Sequence, residues 1–115
     1  MIYLFGISNC DRVVKARKIL EQSGVEFEYI DFRKGNFSIN HVKEWLERVS
    51  IDDMISKRSK AWGKLTEQQQ KSLLSDPDPQ LLFENETLVK RPVLVTKNII
   101  HFGFKQSIYD EITQK

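Results

Sequence analysis

A mixed α/β fold is what this sequence predicts, and three observations carry the reading. A continuous apolar run, Ile2 to Phe5, gives way to helical periodicity from Asp11 and then to strand alternation through Tyr29. The middle of the chain, from Lys34 to about Lys90, carries helical spacing and no convincing strand. Two more strand signals and a helix come after it, from Pro92 onward.

The elements are justified in order. Ile2 to Phe5 has the unbroken apolar pattern of a strand covered on both faces. Gly6 and the polar Ser8-Asn9 break it. Val13, Ala16 and Leu20 recur at helical spacing, with Ile19 widening the stripe, and Gly24 supplies the left-handed stop. Val25, Phe27 and Tyr29 alternate with Glu26, Glu28 and Ile30, which is strand periodicity. Two strands joined by a helix favour a right-handed parallel βαβ unit.

In the middle, Ser38 caps a helix with Val42, Trp45, Leu46 and Val49 on one face. Ile51, Met54 and Ile55 mark a short second helix before the basic stretch Lys57 to Lys60. Thr66 to Gln69 has capping-box spacing and opens a third, through Leu73 and Leu74. Asp76 to Pro79 starts a fourth, backed by Leu81, Leu82 and Phe83. Pro92 to Thr96 and Ile99 to Phe102 flank Lys97-Asn98 as a hairpin, although Lys97 is an unusual turn residue. Ile108, Tyr109 and Ile112 share the face of a closing helix from Lys105. The order β-α-β, helical block, β-β-α describes a thioredoxin-like fold with a helical insertion at about 34–90. The expectation is one domain over 1–115.

Composition narrows the function. A chain of 115 residues is long enough for a core without staples, and seven Phe, three Tyr and two Trp supply the bulk for it. Lys plus Arg total 18 against 16 Asp plus Glu, a net charge of +2, which argues against a dedicated nucleic-acid binder. Its single cysteine excludes an intramolecular disulfide, a two-cysteine redox motif and a cysteine-based zinc cluster. No apolar run is long enough to span a bilayer, and no basic segment leads into an apolar signal core. A cytoplasmic protein is expected, with its thiol kept reduced.

Cys10 is the strongest candidate for chemistry. It stands between a buried strand and the first turn of a helix, where unpaired N–H groups and the positive end of the dipole favour a thiolate. Arg12 and Lys15 add positive potential nearby. A lone cysteine is otherwise often an inert core residue. The second signal is Arg91-Pro92, a proline opening a strand, where a cis bond is expected facing the helix that carries the thiol. Arg58, among Lys57, Ser59 and Lys60, has the planar fork that suits an oxyanion, although a solvated basic turn is the plainer account. Trp45 reads as core, and Trp62 as a packed loop aromatic. His41 and His101 lack ligand spacing, so no bound metal is expected. No phosphate loop, dinucleotide fingerprint or paired carboxylates stand out.

Gly6-Ile7-Ser8-Asn9-Cys10-Asp11, Val14-Lys15-Ala16-Arg17, Arg58 to Trp62, Lys90-Arg91-Pro92-Val93-Leu94 and Phe102-Gly103-Phe104 together resemble the ArsC/Spx family, in its YffB-like branch of bacterial proteins. The resemblance runs over essentially the whole chain. It implies a thioredoxin-like fold and a nucleophile at Cys10. The two arginines that bind the oxyanion in arsenate reductases correspond to Arg58 and Arg91. A third has no counterpart, because Phe104 stands there and offers an apolar wall. Val13 occupies the place of the second cysteine found in many Spx regulators.

The activity that the resemblance leads one to expect is that of a glutathione-dependent monothiol reductase. Cys10 is the nucleophile, Arg58 and Arg91 hold an anionic group, Asn9 orients the loop, and Pro92 and Phe104 complete the substrate site. Glutathione is the co-substrate and no cofactor stays bound. Glutathione or a glutaredoxin resolves the adduct, and a monomer without nucleic-acid or membrane partners is expected. An arsenate reductase is one alternative. An Spx-like regulator that binds RNA polymerase is another, from a different class.

Overall fold

The strand β1 (Ile2–Gly6) pairs in parallel with β2 (Phe27–Asp31), in the register Ile2 opposite Phe27 through Gly6 opposite Asp31. A parallel pair needs a crossover, and α1 (Asp11–Ser23) provides it. Gly24 ends α1 at φ 78°, its N–H donating to the Glu21 carbonyl. On its other side β1 pairs antiparallel with β3 (Val93–Val95), and β3 with β4 (Ile100–Phe102). The sheet order is therefore β2-β1-β3-β4. This computed structural model describes residues 1–114.

The chain forms two compact units, one from Met1–Phe37 together with the chain from Arg91 onward, the other Ser38–Lys90. In the first, Leu4 and Leu94 of the sheet, Ala16 and Leu20 of α1, and Tyr109 of the last helix share a core with no solvent exposure. Phe5, Phe32 and Phe37 make a separate aromatic cluster, with ring centroids 6.2 Å apart for Phe5–Phe37 and 4.7 Å for Phe32–Phe37.

The second unit is helical. It contains α2 (Ile39–Arg48), α3 (Ile51–Met54), α4 (Lys60–Gly63), α5 (Glu67–Ser75), α6 (Pro79–Glu84) and a 3-10 turn at Glu86–Leu88. Val42, Trp45, Met54, Ile55, Leu82 and Leu88 are buried in it. The capping box forms as its spacing predicts: the Gln69 N–H donates to Thr66 Oγ1 (3.1 Å) and the Thr66 N–H to Gln69 Oε1 (2.8 Å). Two features were not legible from sequence. The basic stretch runs directly into α4, whose four residues, one of them Gly63, are too few to show a period; the Trp62 N–H donates to the side chain of its cap Ser59 (3.1 Å). Ile55 and Val89 form an isolated antiparallel bridge, supported by Ser56 N–H to the Leu88 carbonyl and Lys90 N–H to the Met54 carbonyl, both 2.8 Å.

The closing helix, α7 (Gln106–Thr113), begins after Lys105. The hairpin turn is held by Thr96, whose hydroxyl accepts from the Asn98 and Ile99 N–H groups (3.3 and 3.1 Å). This side-chain acceptor is what permits Lys97 in the turn. The Arg91–Pro92 bond is cis. Among the described residues no helix is long and apolar enough to cross a membrane.

Candidate active site

Register alone gathers most of the candidate residues at one end of the sheet. The parallel pairing puts Asp31 beside Gly6, where β1 ends. The antiparallel pairing puts Val93, where β3 begins, beside Phe5, and beside Phe102, where β4 ends. The loop Ile7–Cys10, the dipeptide Arg91-Pro92 and the segment Gly103-Phe104 therefore leave the sheet at the same end. Backbone bonds tie them, Phe32 N–H to the Gly6 carbonyl (2.8 Å) and Gly103 N–H to the Pro92 carbonyl (2.9 Å).

Cys10 is the N-cap of α1, with φ −90° and ψ 125°, and is partly exposed. Its N–H donates to the Ile7 carbonyl (3.1 Å), closing a turn over Ser8 and Asn9, and its carbonyl accepts from Val14 N–H (2.9 Å). Its side chain makes no cap hydrogen bond. The thiol thus stands at the end of a thirteen-residue helix, where the first N–H groups lack intrahelical partners. Asn9 is exposed in the turn, while Pro92 is buried.

Arg91 carries the second feature of the site. Its Nε and Nη1 are buried and have no hydrogen-bond partner among the described residues. Buried donors are nearly always paired, so a guanidinium in this condition is equipped for an acceptor from outside the chain.

Phe104 also lies at this end, with its ring committed to the core. It stacks on Tyr109 with centroids 5.0 Å apart and planes 30° apart, and Lys15 Nζ lies 5.0 Å from its centroid. Arg58 belongs to the helical unit, exposed in the turn between α3 and α4, where it makes no hydrogen bond or ion pair among the described residues.

Sequence reasoning missed Asp31 and its neighbours. Asp31 Oδ1 accepts from the Arg33 N–H (2.8 Å), and Oδ2 from the Ser8 N–H and the Tyr29 hydroxyl (both 3.2 Å). Burial first, and then the Asp31 carboxylate through charge and hydrogen bond, push the Tyr29 phenol up to about 12. The Arg17 guanidinium, 4.2 Å from the ring centroid, opposes that shift. Ser8, Tyr29, Asp31, Lys34, Gly35 and Asn36 line a cleft of about 410 Å³ beside the turn. The available signal was an acidic residue directly after the apolar pair Tyr29-Ile30, at the end of β2. Among the described residues no group of three or more His, Cys, Asp or Glu is arranged to hold a metal ion.

Known proteins are similar to this chain over nearly all of its length. The model of the ArsC family matches residues 5–112. An uncharacterised protein of Haemophilus influenzae is 34% identical over 109 residues, covering 95% of this chain and 96% of that one. Among solved structures, a YffB protein superposes with a TM-score of 0.86 at 24% identity, over 99% of this chain and all of the other. A protein of Brucella melitensis related to arsenate reductase superposes with a TM-score of 0.70 at 27% identity, covering 96% and 92%.

Proposed function

Because the chain belongs to the ArsC family, we propose that it is a cytoplasmic monothiol reductase that uses glutathione. The observation that carries this reading is the pair of buried, unpartnered guanidinium nitrogens of Arg91, at the sheet end from which the lone Cys10 also projects.

In this reading the Cys10 thiolate attacks the glutathione sulfur of a mixed disulfide. A new bond forms between Cys10 Sγ and that sulfur, the substrate's S–S bond breaks, and the substrate leaves as a thiolate that takes a proton from water. A second glutathione, as its thiolate, attacks the adduct. It restores the Cys10 thiolate and departs as glutathione disulfide. The substrate sulfur is reduced from the disulfide to the thiol level, and the sulfur of the second glutathione is oxidised to the disulfide level in exchange. The chain has no second cysteine, so the resolving thiol is external, glutathione itself or a glutaredoxin.

Arg91 holds a carboxylate of the incoming thiol, and Asn9 orients the loop. Pro92 shapes the site, and the partly buried Phe104 lends an apolar wall. The anion-binding role of Arg58 rests on the family resemblance alone, and Arg58→Ala measures it. No partner beyond the thiols is required, and the protein acts as a monomer.

The test is reduction of a glutathione mixed disulfide, accompanied by the appearance of glutathione disulfide. Turnover should be present in the native chain and absent in Cys10→Ser, which keeps the fold because serine is close in size. A Cys10→Ser variant with undiminished turnover refutes the proposal. So does a native chain that forms no glutathione adduct on Cys10.

A further inference from the structure

The geometry points to Asp31 as a positioning residue for Cys10, acting through the Ser8 amide. The inference rests on Cys10 being the reacting group, as proposed above, but not on glutathione as its partner.

Asp31 is the most buried charged residue among the described residues, with 6% of its surface exposed. It has no ion pair among them. A buried carboxylate without a counter-charge is retained only where hydrogen-bond donors replace its water. Its three donors differ in meaning. The Arg33 N–H is two residues away and forms the local turn that any aspartate favours at a strand exit. The Tyr29 hydroxyl comes from the same strand. The Ser8 N–H lies 23 residues away in the sequence and belongs to the turn that delivers Cys10 to α1.

That third bond extends the β1–β2 pairing beyond its end. After Gly6 opposite Asp31 and Phe32 N–H to the Gly6 carbonyl, the link from Ser8 to Asp31 ties down the next stretch of the β1 strand's exit. It fixes the second residue of a four-residue turn whose fourth residue is Cys10. A charge-assisted bond there restricts where the thiol can sit relative to the N–H groups of α1, and misplacement of a reacting atom by about 1 Å costs up to about two decades in rate.

The test exploits the position of Ser8. Proline is favoured at the second position of common turns and lacks an N–H, so Ser8→Pro removes Asp31's donor while keeping both the turn and the carboxylate charge. The reaction read is thiol exchange with 4,4′-dithiodipyridine, a neutral disulfide. The Cys10 thiolate displaces one thiopyridone, whose absorbance reports the rate. Ser8→Pro should slow the exchange about threefold or more in the native background and change it little in the Asp31→Ala background. An unchanged rate, or an equal loss in both backgrounds, overturns the inference. Should Asp31→Ala fail to fold, Asp31→Leu, close in shape and without an acceptor, takes its place in the cycle. A measurement on the unaltered protein stands beside it: slow exchange of the Ser8 amide hydrogen is expected, and exchange at the rate of a free peptide overturns the assignment. Failure of glutathione turnover would leave all of these readings intact, which separates this inference from the proposed function.

Discussion

Gly6 and Val13 approach so closely that a β-carbon on Gly6 would lie 2.5 Å from Val13 Cγ2 and 2.9 Å from Cγ1. The strand therefore passes against the first turns of α1 at a distance only glycine allows, and this contact sets where the loop to Cys10 begins. Valine has two branches on Cβ and cannot swing aside. Gly6→Ala should cost about 1–3 kcal/mol through overpacking. Val13→Ala added to it should recover part of that loss, because the clashing methyls are gone. Denaturant unfolding of the two single variants and the double variant measures both effects.

Arg91→Met separates function from stability. The buried Nε and Nη1 make no hydrogen bond among the described residues, and methionine fills similar space without their desolvation cost. The fold should gain about 1 kcal/mol or stay unchanged. Binding of glutathione should weaken by roughly one to two decades, as expected for loss of a charged hydrogen-bonding partner. Thermal unfolding and adduct formation against glutathione disulfide concentration provide the two readouts.

Alkaline pH should unfold the protein in a predictable window. The folded chain holds the Tyr29 proton up to about 12, whereas an ordinary tyrosine releases it near 10. The unfolded state therefore binds fewer protons across that interval, and stability falls as pH rises through it. Tyr29's contribution is complete below pH 10 and lost above about 12. Burial raises Tyr109 as well, so the decline continues in the same direction. Tyr29→Phe should flatten the fall between these limits. Asp31→Asn should lower the Tyr29 midpoint, read from phenolate absorbance.

Phe104→Arg tests the alternative chemistry. The native chain should reduce arsenate poorly, since it lacks one of the guanidinium groups that the family resemblance assigns to oxyanion binding. The substitution should raise arsenate turnover while lowering stability. It forfeits the stacking on Tyr109, about 0.5–1.5 kcal/mol, and brings a second cation to Lys15. Arsenate turnover and thermal unfolding, measured on the same preparation, report both. Efficient arsenate reduction by the native chain would reverse the ranking of the two activities.

Legibility in the sequence tracks physical locality. Leu20 and Gly24, Thr66 and Gln69, and the hairpin about Lys97-Asn98 depend on partners a few residues away, so their patterns appear in any short window. Cys10 was legible because its setting, the start of a helix, is itself local. Asp31 was not, since its meaning lies in the Ser8 amide 23 residues earlier, and pairing register alone brings the two together. Phe104 was half legible: its place at the site end comes from β4, but the claim of Tyr109 and Lys15 on its ring depends on how α1 and α7 pack.

The discontinuity of the first unit bears on how the protein is made. A ribosome releases β1, α1 and β2 long before β3, because the whole helical unit lies between them in the chain. Until Val93–Val95 emerges, the edge of β1 at Tyr3, Leu4 and Phe5 has no antiparallel partner. A bare apolar edge is a template for pairing with another nascent chain. Early folding of this compact helical unit would shorten the loop that must close for β3 to arrive. Those helices thus set how long an aggregation-prone strand stays uncovered during synthesis.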